Sequence, residues 1–139
     1  MNIDKIVSIL GKPGLYQIIS QSKNAVIVES LADKKRFPVN AVHNISALAD
    51  IAIYTYDEEV PLKEVFYNIY KKEEGKKTID PKSGKDQLET FFNEVLPDYD
   101  QDRVYTSNIK KIIQWYNLLV DAGFDFSSLE EAEEESIEE

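Results

Sequence analysis

The hydrophobic pattern changes period once, at Asp57-Glu58-Glu59-Val60-Pro61, and this divides the chain into a strand-forming part and a helix-forming part. Before the change, short β-branched and aromatic runs are broken by Gly, Pro and charged clusters. After it, apolar residues recur at helical spacing.

Five strands are expected in the first part. Ile6 to Leu10 is apolar and stops at Gly11-Lys12-Pro13-Gly14, where Pro13 and Gly14 suit the two central positions of a type II turn. Leu15 to Ser20 forms the second strand, Gln21 to Asn24 a turn, and Ala25 to Val28 the third strand. A polar turn, Ala32 to Arg36, precedes a fourth strand around Phe37 to Val42, and Pro38 places that strand at an edge or a bulge. Ile45 to Ala49 reads as one 3₁₀ turn capped by Ser46, and Ile51 to Tyr56 as the fifth strand. This order is that of small Src-homology-3-like (SH3-like) barrels. A segment this short cannot cover both faces of an open sheet, so closure is the expected solution.

Three amphipathic helices follow. Leu62, Val65, Phe66, Ile69 and Tyr70 form the first stripe, led by Pro61 and stopped by Gly75. Leu88, Phe91, Phe92, Val95 and Leu96 form the second, with Ser83 and Asp86 as a capping pair and Pro97 as the stop. The third starts at Ser107, carries Ile109, Ile112, Ile113, Tyr116, Leu119 and Val120, and ends at Gly123. Trp115 and Leu118 fall off its stripe, so this helix is expected to be central and to pack on more than one side. The reading is therefore an α+β chain with an SH3-like barrel at 1–56, a helical domain at 57–123 and an acidic, disordered tail at 124–139. Within the tail, Phe124 and Phe126 are expected to touch the bundle.

Charge sharpens this division. The net charge of −10 is concentrated at the end: 1–60 and 61–123 each carry −1, whereas 124–139 holds eight acidic residues and no basic one. Beyond Leu129 such a run is expected to stay solvated. With no cysteine, disulfides, thiolate metal sites and cysteine nucleophiles are excluded. No apolar run approaches the length of a membrane span, and the start lacks the apolar stretch of a signal peptide, so a cytoplasmic protein is expected.

The motif search yields no active site. His43 is the sole histidine, without close acidic neighbours, and is read as structural. Asp98, Asp100 and Asp102 have the spacing of a calcium loop, but Arg103 and Ile109 stand where the turn glycine and bidentate glutamate belong. The segment is read instead as an acidic helix connection with Arg103 pairing locally. Gly75-Lys76-Lys77-Thr78 fails the phosphate-loop pattern, because the earlier glycine position holds Tyr70 and a helix precedes it. No catalytic residue, cofactor or metal is expected, and the chain is read as not an enzyme.

Basic residues supply the remaining candidates. Lys34, Lys35 and Arg36 crowd one turn of the strand part, and Lys71, Lys72, Lys76, Lys77, Lys82 and Lys85 crowd one stretch of the helical part. With Tyr16, Tyr54, Tyr56, Tyr67 and Tyr70 nearby, they could hold RNA or single-stranded DNA. Glu73, Glu74, Asp80 and Asp86 lie among the same lysines and weaken that field. The acidic tail could fold back over the basic stretch and compete with an anionic partner. Removing 127–139 would then strengthen anion binding.

Several stretches resemble a family of small uncharacterised proteins from Bacteroidetes: Lys5 to Ile9, Gly11 to Tyr16, Val26 to Leu31, Val60 to Phe66, Val95 to Tyr105 and Ile109 to Leu119. The resemblance covers most of 3–123. That family is a domain of unknown function, so the resemblance implies a cytoplasmic bacterial protein and no particular activity. The leading expectation is a binding or adaptor module that recognises another protein. The alternative is a nucleic-acid-binding module using the two basic groups, and an enzyme with a site formed only on folding ranks third.

Overall fold

Residues 6–47 supply β1 (Ile6–Ile9), β2 (Lys12–Gln21), β3 (Val26–Ser30), β4 (Arg36–Val39) and β5 (Ile45–Ala47). They form one antiparallel sheet in the order β4-β3-β2-β1-β5. A short ribbon, β6 (Ala52–Tyr54) and β7 (Glu59–Pro61), leads into α1 (Leu62–Glu73), α2 (Lys85–Val95) and α3 (Thr106–Asp121). The computed structural model describes residues 3–23, 25–40, 45–127 and 129. His43 and the acidic run from Glu130 lie outside the described residues.

The α+β class holds, but the strand ladder is open: no pairing joins β4 to β5 among the described residues. The sheet is nevertheless curved around its own cluster. Val7, Ile9, Tyr16, Val26 and Val28 are buried together, and both edge strands seal them, β4 through Phe37 and Val39 and β5 through Ile45 and Ala47. Strand alternation sends these side chains to one face. Ile6 and Leu15 point the other way and join the core shared with the helices. Pro38 lies on β4, an edge strand that pairs only with β3, where a missing N–H costs no ladder bond.

Two local expectations are corrected. The reversal between β1 and β2 sits at Leu10-Gly11, because Ile9 pairs with Lys12. Gly11 takes the positive φ of 82° that this turn needs, while Gly14 (φ 88°) lies within β2, where the register against β1 shifts. Two glycines three residues apart both permit the left-handed conformation, and the tighter turn is the one used. The fifth strand of the sheet is Ile45–Ala47, the 3₁₀ turn is Leu48–Asp50, and Ile51 to Tyr56 contributes β6 instead. β6 pairs with β7, and its end is fastened to the loop before α3 by bonds from Tyr56 N–H to the Asp98 carbonyl (3.0 Å) and from Asp100 N–H to the Tyr54 carbonyl (2.9 Å).

The helices follow their stripes. Leu62, Val65, Phe66, Ile69, Leu88, Phe92, Ile109, Ile113, Tyr116 and Leu119 are fully or almost fully buried in one cluster that also takes in Ile3, Ile6, Leu15, Leu31 and Leu48. α3 packs against α2, α1 and β2, as its broad apolar surface requires. α2 is preceded by Gly84, whose N–H donates to Gln87 Oε1 (3.3 Å), so Gln87 rather than Asp86 closes the capping interaction. Phe124, Phe126 and Leu129 are buried too: Phe126 stacks on Tyr70 (5.3 Å between ring centres) and lies 5.0 Å from the Tyr116 ring.

Candidate functional site

The sequence-derived basic residues occupy separate parts of the fold. Lys34 (φ 64°), Lys35 and Arg36 turn the chain from β3 into β4, and Arg36 Nε bonds Glu29 at 3.0 Å. Lys71 and Lys72 end α1, Lys76, Lys77 and Lys82 lie in the connection, and Lys85 opens α2. Much of that second group is engaged within the chain. Lys72 pairs with Glu94, which raises its pKa, Lys77 pairs with Asp121 (3.0 Å), and the Lys71 ammonium sits 4.9 Å from the Tyr67 ring centre. Of the five tyrosines considered with them, Tyr16 and Tyr67 are buried and Tyr70 is stacked on Phe126 and Tyr67. The 98–105 loop is closed by its own side chains: Asp100 accepts from Asp102 N–H (2.9 Å) and pairs with Arg103 (3.6 Å).

A different surface brings binding chemistry together. Where the ribbon and the β1–β2 turn meet α3, two depressions of about 270 and 480 Å³ share Ile51, Lys111 and Trp115 and form one groove. The turn puts Leu10 at one end, 80% exposed, because a two-residue reversal leaves nothing beside it to cover the side chain. At the other end β6 presents Tyr54, whose ring lies 5.1 Å from the Arg103 guanidinium. Exposed Tyr56 and Tyr105 lie in the chain segments next to this end, outside the lining of the depressions. The Gln101 N–H donates to the Tyr56 hydroxyl (3.4 Å), and Tyr105 immediately precedes α3 with its N–H donating to Asn108 Oδ1 (2.9 Å). Trp115, half-buried on the side of α3 away from its main stripe, forms part of the floor.

Charge in the groove has one sign. The ionisable side chains lining the two depressions, tyrosine aside, are Lys12, Arg103 and Lys111, all basic, in a chain of net charge −10. A third depression, about 600 Å³ between α1 and α2, is larger, but its rim carries the Lys72–Glu94 pair and no exposed aromatic side chain. Sequence reasoning missed the groove. Its parts come from residues 10, 51, 54, 103, 111 and 115, and the one signal available was that Trp115 fell off the α3 stripe.

Fold and groove together define a two-part α+β protein with an aromatic, basic cleft at the junction. Comparison with known proteins places it further. Residues 3–48 match a domain of unknown function (DUF5606), and 51–119 match a second domain of unknown function (DUF6852). A solution NMR structure of a structural-genomics target from Bacteroides vulgatus is 50% identical, with 89% of each chain covered and a TM-score of 0.73. The chain belongs to this family of Bacteroidetes proteins, which joins the two domains. A search of the curated proteins gave no match. The two family models meet between Leu48 and Ile51, yet side chains from both sides of that boundary share one core. No helix among the described residues is long and apolar enough to cross a membrane.

Proposed function

We propose that the chain is a non-enzymatic cytoplasmic adaptor whose groove docks a segment of another protein, one carrying an apolar anchor flanked by acidic residues. The observation that carries this reading is the convergence of Trp115, Tyr54 and Arg103 beside Ile51 and Lys111. Trp, Tyr and Arg are the residue types that dominate interface energetics, because each combines large contact area with a polar or charged edge. Exposed Leu10 extends the apolar surface at one end. The all-basic lining supplies the preference for acidic flanks. The curved sheet is read as an SH3-like barrel left open between β4 and β5, because both edges seal one cluster.

Trp115 is the sole tryptophan, so its fluorescence reports groove occupancy directly. Peptides selected by display on the full chain should carry an aliphatic or aromatic residue between acids and should shift Trp115 emission. Lys111→Glu and Tyr54→Ala should each weaken them about tenfold or more. Selected peptides indifferent to both substitutions would remove the groove from consideration. If instead single-stranded RNA or DNA oligonucleotides shift Trp115 with steep salt dependence, the nucleic-acid reading takes the site.

A further inference from the structure

We infer that the groove's resident occupant is the chain's own C-terminal segment 130–139, with Ile137 as the apolar anchor, so that an outside partner must displace it. This rests on the groove being a protein-docking surface and names its first ligand. Three observations carry it.

The first is chemical match. Segment 130–139 holds seven glutamates and one large apolar residue, Ile137, with acids on both sides of it. That is the complement of an apolar floor whose charged lining residues are Lys12, Arg103 and Lys111. The second is reach. Phe126 packs against Tyr116, the residue next to Trp115 on α3, so the chain returns to α3 at the level of the groove. Ile137 lies eight residues beyond Leu129, the last described position. Eight extended residues span up to about 26–29 Å, more than twice the roughly 10–12 Å width of one helix. The third is the state of the competing surface. In the 71–85 stretch Lys72 and Lys77 are paired with Glu94 and Asp121, and Glu73, Glu74, Asp80 and Asp86 repel a glutamate-rich segment. In the groove Arg103 pairs with Asp100 (3.6 Å) and the Lys12 ammonium lies 5.0 Å from the Phe37 ring centre, but Lys111 has no ion-pair partner among the described residues.

Tethering makes weak contacts sufficient. A short flexible tether presents the segment at millimolar effective concentration, so an intrinsic Kd of that order fills the groove about half the time. Acrylamide quenching of Trp115 in the full chain reads this occupancy without adding charge. Ile137→Ser and Lys111→Glu should each raise the quenching constant about twofold, and the double variant should rise no further. About 0.5 M salt should raise it in the wild type and not in Lys111→Glu. The shielding should be independent of protein concentration. If none of these changes moves the quenching constant, the segment does not occupy the groove; shielding that grows with concentration would assign the site to a second copy's tail and overturn the proposal equally. Display-selected peptides separate the two levels. If they still shift Trp115 while Ile137→Ser is silent, the tail assignment falls and the docking groove stands. If neither acts at Trp115, both fall.

Discussion

The cluster inside the sheet and the core shared with the helices use similar side chains but are sealed differently. The sheet cluster is small and mostly β-branched, with half-buried residues of β4 and β5 closing its sides. The shared core is larger, contains the fully buried rings of Phe66, Phe92 and Tyr116, and is enclosed by three helices, the sheet and the side chains of Phe124, Phe126 and Leu129. A sheet with two open edges keeps water from a few β-branched side chains and from the Tyr16 ring, which meets Phe37 edge-on at 5.6 Å, but it holds no fully buried aromatic ring. The helices supply the wall it lacks. The larger core should therefore set global stability, and the sheet cluster should open locally at lower cost.

The largest expected effect tests whether the two clusters belong to one cooperative unit. Phe92→Ala removes a ring with no solvent exposure, packed edge-on against Tyr99 at 4.9 Å, and should cost about 3–5 kcal/mol. Urea unfolding followed by Trp115 fluorescence and by far-UV circular dichroism should stay superimposable. Separate transitions would show that the strand half folds independently. Val28→Ala, in the sheet cluster, should cost about 2 kcal/mol. Its amide exchange should speed up in β2, β3 and β4 more than in α1 to α3, and uniform acceleration would erase the distinction between the clusters.

Alkaline pH addresses the helical core alone. The Tyr116 phenol is pushed up to about 12, first by burial and then by the Glu73 charge and Tyr70. The unfolded chain loses this proton near pH 10, so the stabilisation is whole below pH 10 and is lost as pH rises to about 12. The loss amounts to about 2 kcal/mol. Tyr116→Phe should flatten the urea midpoint over that window. At neutral pH the variant should be about 1 kcal/mol weaker, because the hydroxyl donates to the Lys76 carbonyl at 2.7 Å. An unchanged alkaline slope would mean that other tyrosines carry the effect. The smallest change is expected at the exit of α1. Gly75 has φ 82°, and a Cβ there would stand 3.4 Å from Tyr70 Cε1. Gly75→Ala should cost about 1 kcal/mol.

Where local pattern and tertiary demand agreed, the elements could be read from the residues. The three stripes became three helices, Pro38 marked an edge strand, and α1 stopped beside Gly75, at left-handed Glu74 (φ 55°). Reading failed where two choices were locally equal. Gly11 and Gly14 both permit a turn, and strand pairing selected the first. Ile45–Ala47 and Ala52–Tyr54 are both three-residue strands, too short to show a period, and only their partners tell the sheet strand from the ribbon strand. The lysine groups drew attention because they are contiguous in sequence, yet Lys72, Lys77 and Arg36 are paired within the chain.

The division into a strand-forming and a helix-forming part, the near-neutral body with its acidic end, and the exclusion of cysteine chemistry follow from composition and periodicity alone. These are properties of neighbours along the chain, and short-range physics decides them. The open sheet, the core spanning both family domains and the groove were decided only on folding. Leu10, Ile51, Tyr54, Arg103, Lys111 and Trp115 carry no common local signal. They meet because α3 packs across β2 while the ribbon borders the same depression, an arrangement settled by the fit of whole surfaces rather than by any segment's own preference.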